Sequence, residues 1–359
     1  MTEYLTFPAR TLRDFAATIM QSGGFTAEEA AITADSLILS NLLGHDSHGV
    51  MRVTEYMSFL KNGELFSGKQ LETLKETENS LWVNGHYGLG QVQMSRFLDQ
   101  LAVKAKTQAV VCGAMQDCAH IGRLGEWSER LGAKGFAAIV CANDNGTLQF
   151  VTPPGGKQGR TSTNPMALAI PLPNEDVFSL DISTSAVAVG KIKLAYQSGE
   201  RVAEGLLQDA EGNPTTAPSV MFTEPKGTLQ SFGGAQSYKG FGLSIFVDLL
   251  VAGLSGGFAP PAPDSALASN NVTVTLWNPE YFAGVAHMQA EAEKYLDFVR
   301  QTEPAPGKPP VRVAGDRAKQ EKSKREAGGV AISRGTLEKL VRLAGHCNAA
   351  VPDAITSKL

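Results

Sequence analysis

Over the first 62 positions the apolar residues recur at helical spacing. Thr11 is placed to cap a helix that runs through Met20, and Gly23-Gly24 breaks it. Thr26-Ala-Glu-Glu29 has the form of a capping box and opens a second helix whose apolar residues include Ala30, Ala34, Leu37 and Ile38. Gly44 ends that helix, His45-Asp-Ser-His48 forms a short polar turn, and a third helix runs through about Leu60 to an Asn62-Gly63 stop. After Glu78 the pattern changes to strands alternating with helices. Ser80–Val83, Val110–Met115, Phe136–Ala142, Met166–Leu172 and Phe178–Ile182 read as strands, with helices over Gln91–Lys106, Leu124–Lys134 and Ala186–Leu194. Asp209-Ala-Glu-Gly-Asn213 has the composition of a hairpin or loop tip. Lys239–Leu254 is a long apolar helix, Val272–Trp277 a strand, Ala286–Arg300 a helix and Glu303–Pro310 a proline-rich surface connection. Helices over Lys319–Glu326 and Thr336–Leu343 follow, and no segment repeats.

Composition narrows the function classes. With 359 residues, 43% of them apolar and 19% charged, the chain has enough core-forming residues for one large domain or two ordinary ones. The net charge of −4, without a long basic run, argues against nucleic acid as a partner. The opening MTEYLTFPARTLRDF lacks a basic region followed by an apolar stretch, and no uninterrupted apolar run approaches the roughly 18 residues that cross a bilayer. A cytoplasmic protein without a membrane partner is expected. None of the four cysteines lies in a C-x-x-C pair, so they read as reduced core thiols. The 37 glycines imply many turns and backbone that ligands approach closely.

The strongest local feature is His45-Asp46-Ser47-His48-Gly49-Val50, followed by Arg52 and Tyr56. If Ser47 caps the third helix, His48, Arg52 and Tyr56 fall at i, i+4 and i+8 on adjoining parts of one face. Histidine titrates near neutrality and so exchanges protons in either direction, while arginine grips a carboxylate at two points. Two other readings compete: His45 and Asp46 as helix caps with Arg52 a solvated charge, or His45, Asp46, His48 and His120 as zinc ligands. The zinc reading lacks the spacing of H-E-x-x-H. The second feature, His120-Ile-Gly-Arg123-Leu-Gly125, sits between a strand and a helix, where glycines and a helix N-terminus suit an anion, or where a core histidine simply occupies a turn. No G-x-G-x-x-G follows a strand, so a Rossmann site is not supported. Residue pattern alone reaches an α/β enzyme with a histidine-centred anion site.

Taken in order, Gly44-His-Asp-Ser-His-Gly-Val50, His120-Ile-Gly-Arg-Leu-Gly125, Thr163-Asn-Pro165, Asp181 with Thr184-Ser185, Gly212-Asn-Pro-Thr-Thr216 and Lys239-Gly240 span nearly the whole chain. Together they resemble the malate/L-lactate dehydrogenase family that lacks a Rossmann domain, and within it the hydroxycarboxylate dehydrogenases. The resemblance implies an α/β fold bordering on α+β. A helical domain from residues 1–78 plus roughly 286–359 would pack on an α/β domain, residues 79–285, with a mixed, largely antiparallel sheet and a non-Rossmann cofactor site. It implies hydride transfer between NAD or NADP and a small 2-oxo or 2-hydroxy acid, by a homodimer with active sites near the subunit interface. His48 matches the acid/base, Arg52 the residue near the substrate carboxylate, and His120 a second active-site histidine of some relatives. Cofactor contacts are implied at Gly122, Arg123 and Leu124, at Leu180, Asp181, Ile182 and Ser183, at Tyr238 and Lys239, at Asn271, and at Ala314, Gly315 and Asp316, with no metal. Three positions depart from the family pattern. Ser162 stands where a glycine commonly precedes Thr-Asn-Pro, Tyr238 where histidine occurs, and Val313-Ala-Gly-Asp316 where Leu-Pro-Gly-Glu is usual. The alternatives from other classes are a non-catalytic binder of small carboxylates and a metal-dependent hydrolase.

Overall fold

The computed structural model describes residues 3–359. A short strand, β1 (Tyr4–Phe7), leads into α1 (Ala9–Ser22) and α2 (Ala27–Leu42). The chain enters α1 from Pro8, ahead of Thr11, because proline's fixed φ already sets the first turn. α2 opens on the expected capping box: the Glu29 N–H donates to Thr26 Oγ1 at 3.2 Å and the Thr26 N–H to Glu29 Oε2 at 3.0 Å. Two 3-10 turns, Asp46–His48 and Val50–Arg52, then precede α3 (Val53–Asn62). Ser47 therefore caps no helix, and the expectation of one continuous helix carrying His48, Arg52 and Tyr56 is corrected. There follow β2 (Glu72–Glu76), β3 (Ser80–Asn84), α4 (Gly90–Ala105), β4 (Val110–Cys118), α5 (Leu124–Ala133), β5 (Ala137–Asn143), β6 (Met166–Pro171) and β7 (Val177–Ile182). α6 (Val189–Ser198) and the short strands β8 (Leu207–Gln208), β9 (Pro214–Thr215) and β10 (Thr228–Leu229) come next, then α7 (Tyr238–Ser255), β11 (Asn270–Trp277) and α8 (Val285–Arg300). α9 (Asp316–Gly328), β12 (Val330–Ser333), α10 (Arg334–His346) and α11 (Asp353–Thr356) complete the chain.

Seven strands form one sheet in the order β2-β3-β4-β11-β5-β6-β7, in which β3 and β4 run parallel and every other pair antiparallel. The sheet is mixed and largely antiparallel, and it is not the doubly wound parallel sheet of a Rossmann domain. Alternation along the strands divides its faces. Val272, Val274 and Leu276 of β11, with Ala138, Val140 and Ala142 of β5, meet Phe97 and Leu101 of α4 and Trp127 and Leu131 of α5. Each such fully buried Val, Leu or Phe contributes roughly 1.5–3 kcal/mol by leaving water. The opposite parity, Ile139 and Cys141, meets Val247 and Val251 of α7. By length and composition α7 is long and apolar enough to cross a membrane, although Lys239 and Asp248 interrupt it. Here Gly240, Ser244, Val247, Asp248, Val251 and Ser255 turn one helical face inward, and Leu243, Ile245, Phe246, Leu249 and Leu254 remain exposed.

A second core joins the two ends of the chain. β1 pairs antiparallel with β12, and Phe7, Phe15, Ile19, Leu37 and Tyr56 pack with Val330, Leu337 and Leu340. α8 packs against β6, where Gln289 Nε2 donates to the Leu172 carbonyl at 3.0 Å. The expected loop tip at Asp209–Asn213 joins β8 to β9, and with β10 these make a small sheet over Val151, Ile192 and Leu229.

Candidate active site

The turn that carries His48 is held by a side chain from the preceding helix. Asn41, 1% exposed near the end of α2, donates from Nδ2 to Asp46 Oδ1 at 2.7 Å, while its Oδ1 accepts the Val50 N–H at 2.9 Å. Arg325 of α9 closes the arrangement, with Nη1 2.7 Å from both Asp46 Oδ1 and the Asn41 carbonyl. Gly49 is required at this crossing, since a Cβ there would lie 2.2 Å from Asn41 Oδ1. Asp46 is thus a structural anchor. His48, the last residue of the first short turn, has its Nδ1 3.0 Å from Ser47 Oγ.

His120 comes from the opposite side, on the loop between β4 and α5. That loop is fixed by the Ile121 N–H donating to Asn270 Oδ1 at 3.1 Å and by Trp127 Nε1 donating to the Ile121 carbonyl at 3.0 Å. The two imidazoles stack, with centroids 5.7 Å apart and planes 18° from parallel. Behind His120, the Tyr56 hydroxyl lies 2.8 Å from its Nδ1 and Gln91 Nε2 donates to that hydroxyl at 2.8 Å. Arg52 stands beside the pair, its Nε donating to the Ser47 carbonyl at 2.7 Å and its Nη1 paired with Glu55.

Charge follows from burial. Desolvation pushes His48 down to about 3, and the positive charges of Arg52, His45 and Arg123 act in the same direction. His45 falls to about 4 through burial and the nearby Arg123 and Arg317. His120 is held well below its ordinary value by burial, Arg52 and His48, while burial raises the Tyr56 hydroxyl. At neutral pH the imidazoles are therefore uncharged in a region of positive potential, which favours an anion and, with it, a proton.

The second cluster lies along β7. Arg123, 3% exposed, donates from Nη1 to Glu129 Oε1 at 2.9 Å and stands 3.9 Å from Asp181 Oδ2. Asp181 in turn accepts the Gly125 N–H at 2.9 Å, and burial raises its pKa although Arg123 opposes this. Gly315 backs onto the Ser179 carbonyl, so three expected segments, Gly122–Leu124, Leu180–Ser183 and Ala314–Asp316, meet here. Tyr238 and Lys239 begin α7, where Gly240 abuts Phe232 and the Thr184 carbonyl. Thr184 is tied through its N–H to the Thr163 carbonyl at 3.0 Å, which brings the Thr163-Asn-Pro165 motif to the same place. Ser162 lies outside the left-handed region, so the residue at this position needs none of glycine's freedom. Nearby, burial raises the pKa of Asp144 to about 6, and its Oδ2 accepts the Leu148 N–H at 3.0 Å.

Two expected residues point elsewhere. Asn271 is 0% exposed, with Nδ2 donating to Asn145 Oδ1 at 2.9 Å and Oδ1 accepting the Asp117 N–H at 3.2 Å; its neighbour Asn270 reaches the His120 loop instead. The Asp316 carboxylate is held by Arg300, at 2.9 Å and 3.3 Å, and by the Val313 N–H at 3.0 Å. Sequence pattern did not single out Gln91, Asn41, Glu129 or Arg325, because each serves the site through contacts across 5 to 284 positions.

The family model described as malate/L-lactate dehydrogenase matches residues 7–341. The chain belongs to the malate/L-lactate dehydrogenase family. It is 31% identical to hydroxycarboxylate dehydrogenase B of Escherichia coli over 336 residues, covering 92% of this chain and 91% of that one. It is also 31% identical to L-lactate dehydrogenase of Cupriavidus necator, covering 95% and 98%. Its fold is similar to that of malate dehydrogenase from Pyrococcus horikoshii, with a TM-score of 0.87 and 26% identity over 98% of each chain. As a member of the malate/L-lactate dehydrogenase family it is a 2-hydroxy acid dehydrogenase, transferring hydride between a nicotinamide cofactor and a 2-oxo acid. The second cluster fits such a dinucleotide. Arg123 is paired with Glu129 and lies near Asp181, but its buried Nε has no acceptor among the described residues and so could donate to an anionic group of the cofactor.

Proposed function

We propose that this protein interconverts a small 2-oxo acid and its 2-hydroxy acid with NAD or NADP, His48 acting as general acid and base and Arg52 as the carboxylate clamp. The observation that carries the reading is the stacked pair of neutral histidines beside Arg52. Residues Gly122–Leu124, Leu180–Ser183 and Tyr238–Lys239 would hold the cofactor, which supplies or accepts the hydride. Arg52 would fix the substrate carboxylate with the guanidinium edge that Ser47 and Glu55 leave free. In reduction the His48 imidazolium protonates the carbonyl oxygen, and in oxidation the neutral imidazole removes the hydroxyl proton. Relatives named for hydroxycarboxylate, lactate, malate and sulfolactate all act on carboxylates with a neighbouring hydroxyl, which supports this substrate class. Among the described residues no three His, Cys, Asp or Glu side chains gather as metal ligands, and Asp46 is taken by Arg325, which favours hydride transfer over metal-assisted hydrolysis.

The exposed apolar face of α7, with Phe246 52% and Leu249 65% exposed, supports a homodimer. Phe246→Asp with Leu249→Asp should then give a monomer mass by light scattering, and a wild-type monomer at micromolar concentration would contradict the assignment. The activity is tested by following near-ultraviolet absorbance of NADH and NADPH with pyruvate, oxaloacetate, hydroxyphenylpyruvate and 2-oxoglutarate. Turnover with one or more is expected, and cofactor binding without turnover on any would point to a carboxylate-binding protein.

A further inference from the structure

We propose that Gln91 is a positioning residue that, through the Tyr56 hydroxyl, fixes His120 as the neutral tautomer protonated on Nε2, making it a hydrogen-bond donor to the substrate oxygen and not a proton carrier. This rests on the reading in which His48 carries the proton.

The backbone N–H of Gly122 points at His120 Nδ1 at 3.3 Å, and a backbone N–H only donates. In the wild type Nδ1 therefore presents its lone pair, but a contact of 3.3 Å is weak, and the closer Tyr56 hydroxyl decides which tautomer is held. The Tyr56 oxygen, 2.8 Å from the same nitrogen, has to direct its proton there, since two lone pairs at that distance would repel. With its proton committed, the Tyr56 oxygen is left to accept, and the donor facing it at 2.8 Å is Gln91 Nε2. The sequence Gln91 to Tyr56 to His120 thus runs one way only. Gln91 is 0% exposed and Tyr56 0% exposed, so water does not compete for either bond. Gly122 contributes twice. Its φ of +76° aims its N–H inward, and an added Cβ would lie 3.0 Å from Gln91 Nε2.

An imidazole held this way has a proton on Nε2 and an occupied lone pair on Nδ1. It has no free site to take a proton from a hydroxy acid, and its Nε2–H is too weak an acid to give one up at neutral pH. Nε2 has no acceptor among the described residues and the ring is part-exposed, so the donor is available to a developing oxyanion. The stacked histidines then divide the work, with His48 moving the proton and His120 holding the oxygen.

The chain has only six histidines, so long-range proton–nitrogen correlation spectra of the uniformly 15N-labelled full-length protein, assigned with His120→Asn, read the tautomer directly. The wild type should show a pyridine-type Nδ1 and a pyrrole-type Nε2 at neutral pH. In Gln91→Glu a carboxylate accepts from Tyr56, whose oxygen lone pair then faces Nδ1. His120 should shift toward the Nδ1–H form, with kcat falling about 100-fold, as on loss of an oxyanion donor, and cofactor affinity unchanged. A wild-type spectrum showing Nδ1–H overturns the proposal whatever the variant does, and so does an unchanged tautomer in folded Gln91→Glu. The spectra are taken without substrate, so their outcome is separate from whether His48 carries the proton. If His48→Asn stays active while the Nε2–H tautomer is found, the acid/base assignment fails and the tautomer stands.

Discussion

Binding of a 2-oxo acid should draw a proton onto His48. The free imidazole titrates at about 3, first because it is desolvated and then because Arg52, His45 and Arg123 repel the added charge. A substrate carboxylate on Arg52 places a negative charge in that field. Two unit charges about 4 Å apart at an effective dielectric near 20 interact by about 4 kcal/mol, which is about 3 pKa units. The bound-state value then lies near 6, so between pH ~6 and ~4 affinity should strengthen about tenfold per unit of acidification. At pH 5 complex formation should take up about 0.9 proton. Oxamate, an unreactive analogue of a 2-oxo acid, allows the test on enzyme carrying reduced cofactor. Isothermal titration calorimetry in two buffers of different ionisation enthalpy gives the proton count. His48→Asn should abolish the uptake, which separates it from any contribution of His45. Proton release, or uptake near zero at pH 5, would refute the electrostatic linkage between Arg52, the carboxylate and His48.

Arg52→Lys should weaken 2-oxo acid binding by about 1.5–3 kcal/mol, the scale of a hydrogen bond to a charged group, because lysine keeps the charge and loses the planar fork. Reduced-cofactor affinity, followed by fluorescence, should barely change; equal loss of both ligands would make Arg52 a residue of the fold. Stability should also fall in acid. The folded-state pKa values of His45 and His48 lie below the ordinary 6.5, so the unfolded chain binds more protons and stability present above pH 6.5 is lost on descent toward pH 4 and pH 3. For His45 the full effect is about 3 kcal/mol, so urea midpoints in His45→Asn should depend less on pH than in the wild type, and an identical dependence would count against the burial of that ring.

How much of this could be read in the chain depended on the range of the interactions. The Thr26 capping box, the helices at Gly90–Ala105, Leu124–Ala133, Tyr238–Ser255 and Val285–Arg300, and the central strands announce themselves through local spacing, and their ends agree within two residues except at β4, which runs three residues past Met115 to Cys118. β1 and β12 gave no such signal. Tyr4 pairs with Ser333 only because the two ends of the chain meet, and β2, Glu-Thr-Leu-Lys-Glu, is exposed throughout and shows no alternation. At the site, the histidines and Arg52 were visible as residue types. Their grouping was not, because Ser47 forms a 3-10 turn where a helix cap was expected, and His120 reaches His48 from a separate element. Asn271 shows the same limit: in β11 adjacent asparagines face opposite sides, so only Asn270 reaches the His120 loop.

The central claim, that His48 carries the proton, is tested most directly by single-turnover reduction of a 2-oxo acid in His48→Asn. Asparagine occupies similar space and hydrogen-bonds but delivers no proton at neutral pH. General acid catalysis contributes roughly 10²–10⁴-fold, so the rate should fall at least about 100-fold while the dissociation constant of the reduced cofactor moves only a few-fold. The parallel His120→Asn variant should keep a pH profile governed by His48, with reduction declining as pH rises and oxidation showing the opposite trend. If His48→Asn retains more than about a tenth of the wild-type rate, short of the general-acid range, while His120→Asn is inactive, the proton belongs to His120 and the account is contradicted.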